Sequence, residues 1–270
     1  MKIFGIEMSK LKYTNFLKEI TENNKDNSQK IIFTPNPEIL LDSLTDDNFK
    51  QNLLKADYLT PDGIGLYLAY QILDNKHNKF INFLLLPYYI LKLFLATDSL
   101  YNKYGDRICG SDLTNDLLDY AEKNSLEIAI LDLYNPTDKN KVESQKTLIE
   151  KLNKKFKNIK FNLIIYRNNN DEVIKILNNQ NNFALLATLG GKKQEQAIID
   201  ILPHTKISLG LGIGSSIDYQ IGFQRRAPKL MRSLGLEWLY RLIMGPQKIK
   251  RLKRIYNATF RFIYNIFRSK

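Results

Sequence analysis

The stretch FALLATLGGKKQEQAIID, residues 183–200, decides the fold class. It begins with an almost continuous apolar run, which is typical of a strand buried on both faces of a parallel sheet. The glycine pair Gly190 and Gly191 then ends the run, and apolar residues at helical spacing follow. Such a strand–turn–helix is one half of the βαβ unit from which parallel sheets are built.

The same alternation of strand-like and helix-like segments extends along most of the chain. Segments such as SDLTNDLLDYAEKN show helical spacing between the strand-like runs. The sequence therefore predicts an α/β fold with a mostly parallel sheet and helices on both faces. The predicted strands lie within residues 30–37, 56–62, 126–135, 159–167, 183–191 and 205–214. Because ligands bind beyond the carboxyl ends of parallel strands, the loops at these ends are expected to line one cleft. These loops are at residues 34–37, 60–63, 190–191 and 210–214.

The composition is that of an ordinary globular protein of 270 residues, 44% of them hydrophobic and 25% charged. A single cysteine, Cys109, excludes an internal disulfide and is typical of a reducing compartment. The first residues, MKIFGIEMSK, lack the long apolar core of a signal peptide, so we expect a cytoplasmic chain.

The positive charge is concentrated at the carboxyl end of the chain. The net charge is +12, and residues 225–270 carry 13 Lys and Arg against one acid, Glu237. Residues 1–224 therefore sum to zero. We divide the chain into an α/β domain, 1–224, and a basic appendage, 225–270. Such polarisation favours an acidic partner over a merely solvated tail.

The appendage also has an apolar face at helical spacing. Its members are Ile249, Leu252, Tyr256, Phe260, Ile263 and Phe267, with lysines and arginines mostly on the other face. A cationic amphipathic helix with aromatic residues suits an anionic membrane surface, which we expect here. The alternative is a terminal helix docked on the domain.

A second unusual segment is FINFLLLPYYILKLFLA, residues 80–96, within an apolar insertion at about 78–104. It is at the lower limit of the roughly 17–25 residues that span a bilayer, and Pro87 interrupts it. A buried helix and a membrane-surface or re-entrant segment are both open interpretations, and a true span is the least favoured.

The segment LLKADYLTPDGIGLYLAY, residues 53–70, places a carboxylate, Asp62, at the end of a strand. An acid there could act as a general base. The residues alone equally allow a helix cap at Asp62. Thr34 and Asn36 end a neighbouring strand and could hydrogen bond a ligand, although Asn beside prolines is also a common turn former. The backbone of GGKKQE, at a helix start, could hold a diphosphate.

Several motifs in order resemble the WecG/TagA/CpsF family of bacterial glycosyltransferases. They are TPNPEIL, ADYLTPDGIG, RICGSDL, GGKKQEQAI and GLGIGSSIDYQIGFQRRAPKLMRSLGLEWLYRL, followed by the basic tail. The resemblance implies a Rossmann-like domain with a membrane-associating appendage. It implies inverting transfer of an N-acetylmannosamine-type sugar from UDP to undecaprenyl-diphosphate-linked N-acetylglucosamine, for teichoic acid or other surface polysaccharide.

The resemblance also assigns roles to residues. It makes Asp62 the catalytic base, with Thr34 and Asn36 as substrate ligands, and it implies nucleotide contacts for Gln194, Glu195 and Asp218. Guanidinium and ammonium groups suit the departing UDP and the lipid diphosphate, for which we predict Arg241, Lys248 and Arg251. Neither a metal site nor a cofactor is expected.

The expected partners are the UDP-sugar, the lipid-linked acceptor and the anionic inner face of the plasma membrane, with a homo-oligomer possible. The first alternative is a transferase of the same fold with another UDP-sugar donor. A nucleic-acid-binding protein would use the basic tail, but its apolar face argues against that function. A third alternative is an inactive membrane scaffold.

Overall fold

A computed structural model describes residues 1–22, 28–133, 139–244 and 248–270 of the chain, without the side chains of residues 139–144, 248, 250 and 251. The fold begins with a small antiparallel hairpin of β1 (Lys2–Ile3) and β2 (Ile6–Glu7). The main sheet follows with six strands. They are β3 (Lys30–Phe33), β4 (Tyr58–Leu59), β5 (Glu127–Leu133), β6 (Lys160–Tyr166), β7 (Asn182–Ala187) and β8 (Leu209–Gly212).

The main sheet confirms the predicted parallel architecture. Its strand order is β4-β3-β8-β7-β5-β6, and every neighbouring pair is parallel. Each of the six predicted runs overlaps one of these strands, and only β7 begins outside its run, by one residue. β7 is buried at every position, as its apolar sequence predicts. The carboxyl ends of the strands therefore meet at one edge of the sheet.

Helices cover both faces of the sheet. They are α1 (Tyr13–Glu22), α2 (Pro37–Asp42), α3 (Asp47–Leu54), α4 (Ile64–Asp74), α5 (Lys79–Leu84), α6 (Leu86–Leu95), α7 (Thr97–Tyr104), α8 (Gly110–Lys123), α9 (Lys139–Lys155), α10 (Asn170–Asn178), α11 (Gly191–Ile201), α12 (Ser216–Gln220), α13 (Lys229–Ser233), α14 (Glu237–Met244), α15 (Lys248–Tyr256) and α16 (Phe262–Ser269). One apolar core joins the sheet to α2, α3, α4, α10 and α11, and a second joins it to α1, α8 and α9.

The apolar insertion forms the three short helices α5, α6 and α7. In α6 only Tyr89 and Leu93 are buried, so the interpretation of residues 80–96 as a buried helix is wrong for most of the segment. Within the described residues, no helix has both the length and the apolar character needed to cross a bilayer.

The appendage has one helix docked on the domain and another with exposed apolar residues. Phe262 and Ile266 of α16 are fully buried, and Phe262 packs edge-to-face on Phe4 with ring centroids 5.7 Å apart. α16 is therefore docked on the domain. In contrast, Ile249 and Leu252 of α15 are exposed.

Candidate active site

A cleft of about 660 Å³ lies at the carboxyl edge of the sheet, where the topology predicts it. Residues after β3, β7 and β8 line it, and so does Asp132 near the end of β5. Three of the four predicted loops thus share one cleft, and the fourth, which carries Asp62, lies beside it. The lining includes Asn36, Glu38, Asp132, Thr188, Gly190, Gly191, Gly214, Asp218 and Arg254.

The loop between β7 and α11 offers backbone donors to this cleft. Gly190 and Gly191 both have positive φ, and an added Cβ would meet nothing within 4 Å at either. In the described part of the chain no side chain caps the amino terminus of α11. A helix amino terminus with open space in front of it is suited to a phosphate group.

Gln194 connects this helix to the glycine-rich loop after β8. It is buried, and its Oε1 accepts a hydrogen bond from the Gly214 N–H at 3.1 Å. A Cβ on Gly212 would lie 2.9 Å from Gln194 Nε2. Gly210 in turn lies against Ile198, where a Cβ would come within 2.7 Å of a methyl group. These glycines allow α11 to pack closely on β8, which holds the Gly214 backbone at the cleft.

Glu195 is a buried carboxyl group behind the same loop. Its Oε1 accepts a hydrogen bond from Gln194 Nε2 at 2.9 Å, and its Oε2 has no partner among the described residues. Burial raises the pKa of Glu195 to about 7, although the hydrogen bond from Gln194 opposes the shift. The predicted nucleotide contacts of Gln194 and Glu195 remain predictions, since both side chains lie in the interior.

Asn36 and Thr34 follow β3. Asn36 lines the cleft and also caps α2, because its Oδ1 accepts a hydrogen bond from the Ile39 N–H at 3.0 Å. Thr34 is half-buried against the start of α8, where a Cβ on Gly110 would lie 2.9 Å from its hydroxyl oxygen. Both positions adjoin the cleft edge, and their contacts with a sugar stay predictions.

The loop that carries Asp62 is fixed by its backbone. The Asp62 N–H donates to the Pro35 carbonyl at 3.1 Å, and the Ile108 N–H donates to the Pro61 carbonyl at 3.1 Å. Gly63 is the amino-terminal cap residue of α4, with φ of +111°, which favours glycine. No described side chain caps α4, so the interpretation of Asp62 as a helix cap is wrong.

Asp62 instead lies in an electrostatic cluster with Arg107, Cys109, Glu237 and Arg241. Burial raises the pKa of the Asp62 carboxyl, and the charges of Arg107 and Arg241 and a hydrogen bond from Cys109 oppose that shift. A partly desolvated carboxylate that is kept ionisable by arginines has the properties of a general base.

Arginines that begin the appendage connect it to the start of α8. Arg226 donates to Asp112 Oδ1 at 2.7 Å and to the Ser111 hydroxyl at 2.8 Å. Arg232 donates to the same Asp112 oxygen at 3.2 Å, and Arg107 donates to the Arg232 carbonyl. The segment from Arg226 to Arg232 is therefore held against the start of α8 and against Arg107.

Arg241 is the member of the Asp62 cluster that also contacts Tyr219, the residue after the cleft-lining Asp218. Its guanidinium donates to Glu237 Oε1, at 3.1 Å from Nε, and stacks 5.2 Å from the Tyr219 ring centroid. Tyr219 follows Asp218, which lines the cleft and accepts a hydrogen bond from Gln224. Glu237 also lies 3.9 Å from the Arg226 guanidinium, so it links two arginines of the appendage.

The remaining predicted cations belong to α15. The side chains of Lys248 and Arg251 lie outside the described part of the chain. Arg254, which the sequence analysis did not select, lines the cleft, and its Nε lies 3.6 Å from Glu38 Oε1. Burial raises the pKa of Glu38, and Arg254 opposes the shift. In the described ranges no group of three His, Cys, Asp or Glu side chains could hold a metal ion.

Comparison of the sequence with known protein families identifies one family. Residues 1–93 and 91–270 match the sequence profile of the glycosyl transferase WecG/TagA/CpsF family. The chain belongs to this family. It is therefore a glycosyltransferase, as the resemblance in its motifs implies.

Its relatives include two enzymes named N-acetylglucosaminyldiphosphoundecaprenol N-acetyl-beta-D-mannosaminyltransferase. The relative from Bacillus subtilis strain 168 is 27% identical over 227 residues, which are 83% of this chain and 75% of the relative. The relative from Staphylococcus aureus strain MW2 is 26% identical over 249 residues, 92% of this chain and 83% of the relative.

Arg107 and Arg254 are residues of this glycosyltransferase site that sequence reasoning missed. Arg107 is the first residue of the motif RICGSDL, and that position was the available signal. Nothing in the motif indicates that the Arg107 side chain acts on Asp62.

Proposed function

We propose that the protein transfers N-acetylmannosamine, or a related sugar, from a UDP donor to undecaprenyl-diphosphate-linked N-acetylglucosamine, with inversion at the anomeric carbon. The names of the two relatives support the sugar and the acceptor. The product would enter teichoic acid or another cell-surface polysaccharide. The observation that carries the proposal is the position of Asp62, beside the cleft and among arginines.

In the proposed reaction the Asp62 carboxylate accepts the proton of the acceptor hydroxyl. The hydroxyl oxygen attacks the anomeric carbon from the side opposite UDP, and the bond between that carbon and the phosphate oxygen breaks. UDP leaves with the bonding electron pair. The raised pKa of Asp62 makes it a stronger base than an exposed aspartate, because a proton on a buried carboxyl is better retained.

The cleft is the proposed donor site. The backbone donors at Gly190 and Gly191, at the start of α11, are suited to the diphosphate of UDP. Asn36 and Asp218 in the wall offer polar atoms to the sugar and the nucleoside. Thr34, at the edge of the same loop, would contact the sugar.

We infer that cations of the chain stabilise the leaving UDP and that no metal is needed. Arg241 belongs to the Asp62 cluster and stacks on Tyr219, next to the cleft-lining Asp218, and Arg254 is in the cleft wall. Lys248 and Arg251 belong to the same proposed group. Guanidinium groups bind phosphate oxygens in pairs and remain charged at every physiological pH. Undiminished turnover in EDTA is expected, and a strict requirement for manganese would contradict this part of the proposal.

The proposed location is the cytoplasmic face of the plasma membrane, where the acceptor lipid is embedded. Exposed apolar residues on α15, with lysines and arginines beside them, would hold the protein on anionic lipid. A homo-oligomer is compatible with this arrangement, and nucleic acid is not a proposed partner.

The first experiment compares wild type with Asp62→Asn in UDP release from UDP-N-acetylmannosamine and a lipid-diphosphate acceptor. We expect turnover to fall at least about 100-fold, because the amide cannot accept the proton. Asp119→Asn is the matched control, since it removes one carboxylate from an exposed position on α8. Equal turnover of wild type and Asp62→Asn would contradict the role of Asp62.

A donor panel tests the alternative sugar. If the wild type turns over another UDP-sugar but not UDP-N-acetylmannosamine, the reaction class stands and the proposed sugar is wrong. If no donor in the panel is used with the lipid-diphosphate acceptor, the proposed transferase reaction is wrong.

A further inference from the structure

The insertion formed by α5 and α6 presents its apolar side chains outward. Six large hydrophobic residues there are more than half exposed. They are Phe80 (69%), Phe83 (60%), Leu84 (61%), Tyr88 (55%), Leu91 (56%) and Leu95 (77%). We call this set the insertion face. Groups of exposed apolar residues of this kind mark protein or membrane interaction sites.

Two residues with polar groups in the same helices, Asn82 and Tyr89, are buried. Asn82 is fully buried, and its Nδ2 donates to the His77 carbonyl at 2.7 Å. The Tyr89 hydroxyl donates to Asn82 Oδ1 at 2.7 Å and accepts from Asn75 Nδ2 at 2.7 Å. A helix that faces water has the opposite arrangement.

These hydrogen bonds fix the orientation of the insertion. Rotating α6 to bury Leu91 and Leu95 would break the bonds of Tyr89 and expose Leu93, which is packed in the core. An unsatisfied buried polar group is costly, so the outward position of the apolar residues is a stable property of the fold. Something other than the domain itself must cover them.

Charge indicates what covers the insertion face. Between Asp74 and Asp98 the chain carries Lys76, Lys79 and Lys92 and no acid. A second copy placed face to face would bring lysines against lysines without a carboxylate between them. An anionic lipid surface would satisfy both the lysines and the apolar side chains.

The insertion face is continuous with the basic end of the chain. The Phe83 and Phe267 rings pack with centroids 6.4 Å apart, and Lys79 Nζ donates to the Arg268 carbonyl at 3.4 Å. α16, which carries Phe267 and Arg268, also exposes Tyr264. Apolar and basic groups from two distant parts of the sequence thus form one surface.

We propose that the insertion face is a lipid-inserting surface that enters the outer part of an anionic bilayer beside the basic end of the chain. With 10 residues, α6 is about 15 Å long and would lie in the plane of the interface. This inference rests on the proposed function only in that a lipid-linked acceptor requires the enzyme to work at a membrane.

Vesicle flotation of the full chain tests the proposal without donor or acceptor. The vesicles contain phosphatidylcholine with or without phosphatidylglycerol. The test variant is Leu91→Gln with Leu95→Gln, and the control is Leu44→Gln with Leu54→Gln, two leucines that are 42% and 45% exposed elsewhere. Circular dichroism melting shows whether each variant is folded.

The expected result is a loss of at least about tenfold in partitioning onto phosphatidylglycerol vesicles for the insertion variant, with the control unchanged. Two buried leucines are sufficient for that factor, since each contributes tenfold or more on transfer from water. Wild-type partitioning by the insertion variant would overturn the proposal, and so would an absence of wild-type binding to these vesicles.

Sedimentation of the same proteins distinguishes a lipid-binding surface from an interface between two copies of the chain. If the insertion variant loses self-association but keeps vesicle binding, the face is a dimer interface and the proposal is wrong. Turnover of a short-chain, water-soluble acceptor is expected to be the same in wild type and variant. Failure of that turnover in both proteins would instead contradict the proposed transferase reaction.

Discussion

Glu195→Gln is expected to remove a pH dependence of the stability of the fold. Burial raises the pKa of Glu195 from its ordinary 4.5 to about 7 in the folded chain. An acid whose pKa is raised by folding stabilises the folded state fully only below its unfolded pKa. That stability is lost as the pH rises through the folded pKa, so the loss occurs between about pH 4.5 and 7.

The size of the loss in stability follows from the shift in the pKa of Glu195. One pKa unit corresponds to about 1.4 kcal/mol, so the full transition is worth about 3 kcal/mol. Most of it occurs between pH 5 and 8. In Glu195→Gln the amide oxygen can still accept from Gln194, but its N–H donors replace an oxygen that has no described partner. We expect that change to cost about 1–3 kcal/mol at every pH.

Urea unfolding at pH 5, 6, 7 and 8, at constant ionic strength, measures the effect. The free energy of unfolding should fall with pH by about 2–3 kcal/mol more in wild type than in Glu195→Gln. Glu172→Gln, at an exposed position of α10, is the control and should behave as wild type. Parallel pH curves for wild type and Glu195→Gln would refute the assignment of a buried, protonated Glu195.

Two further predictions concern the site. Arg107→Gln should move the acidic limb of the pH profile of kcat/KM to higher pH, because Arg107 lowers the pKa of Asp62. Arg107→Lys should restore part of this shift. An acidic limb that does not move in Arg107→Gln would show that Arg107 does not act on the base. Gly212→Ala should raise the KM for the donor several-fold, because the added Cβ displaces Gln194 from Gly214. Gly210→Ala should instead lower the free energy of unfolding by about 1–3 kcal/mol, because its added Cβ meets Ile198. Donor titrations and urea unfolding of both glycine variants test these two expectations. Equal effects of the two variants on KM would contradict the proposed role of the glycine-rich loop after β8.

The sequence was sufficient to predict the sheet because most of its strands lie in apolar runs with clear ends, and the two-residue β4 is marked by the turn residues 60–63 that follow it. The hairpin of β1 and β2 was missed because two residues per strand give no measurable period. In the site, Asp62 was found from its place between a strand and a helix. Its partner Arg107 was not, because only the tertiary fold brings residue 107 to that loop.

The insertion shows a different limit of sequence reasoning. Asn82 interrupts an apolar run, and in the sequence it weakens the prediction of any buried helix. In the structure it is fully buried and bonded to Tyr89, seven residues later on the same side. That spacing was the available signal. Asn82 and Tyr89, together with Leu93, mark the inner face of this segment.

The arginine cluster has a consequence for the order of events in catalysis. The cluster has a formal net charge of +1. It contains three acids and four arginines, which are Asp62, Asp112, Glu237, Arg107, Arg226, Arg232 and Arg241. In the proposed reaction Asp62 holds a proton once the sugar has been transferred, so the formal net charge of the cluster is +2 while UDP is still bound. When Asp62 returns that proton to water, the attraction for the nucleotide weakens. Recovery of the base and departure of the product are therefore thermodynamically linked, and each promotes the other.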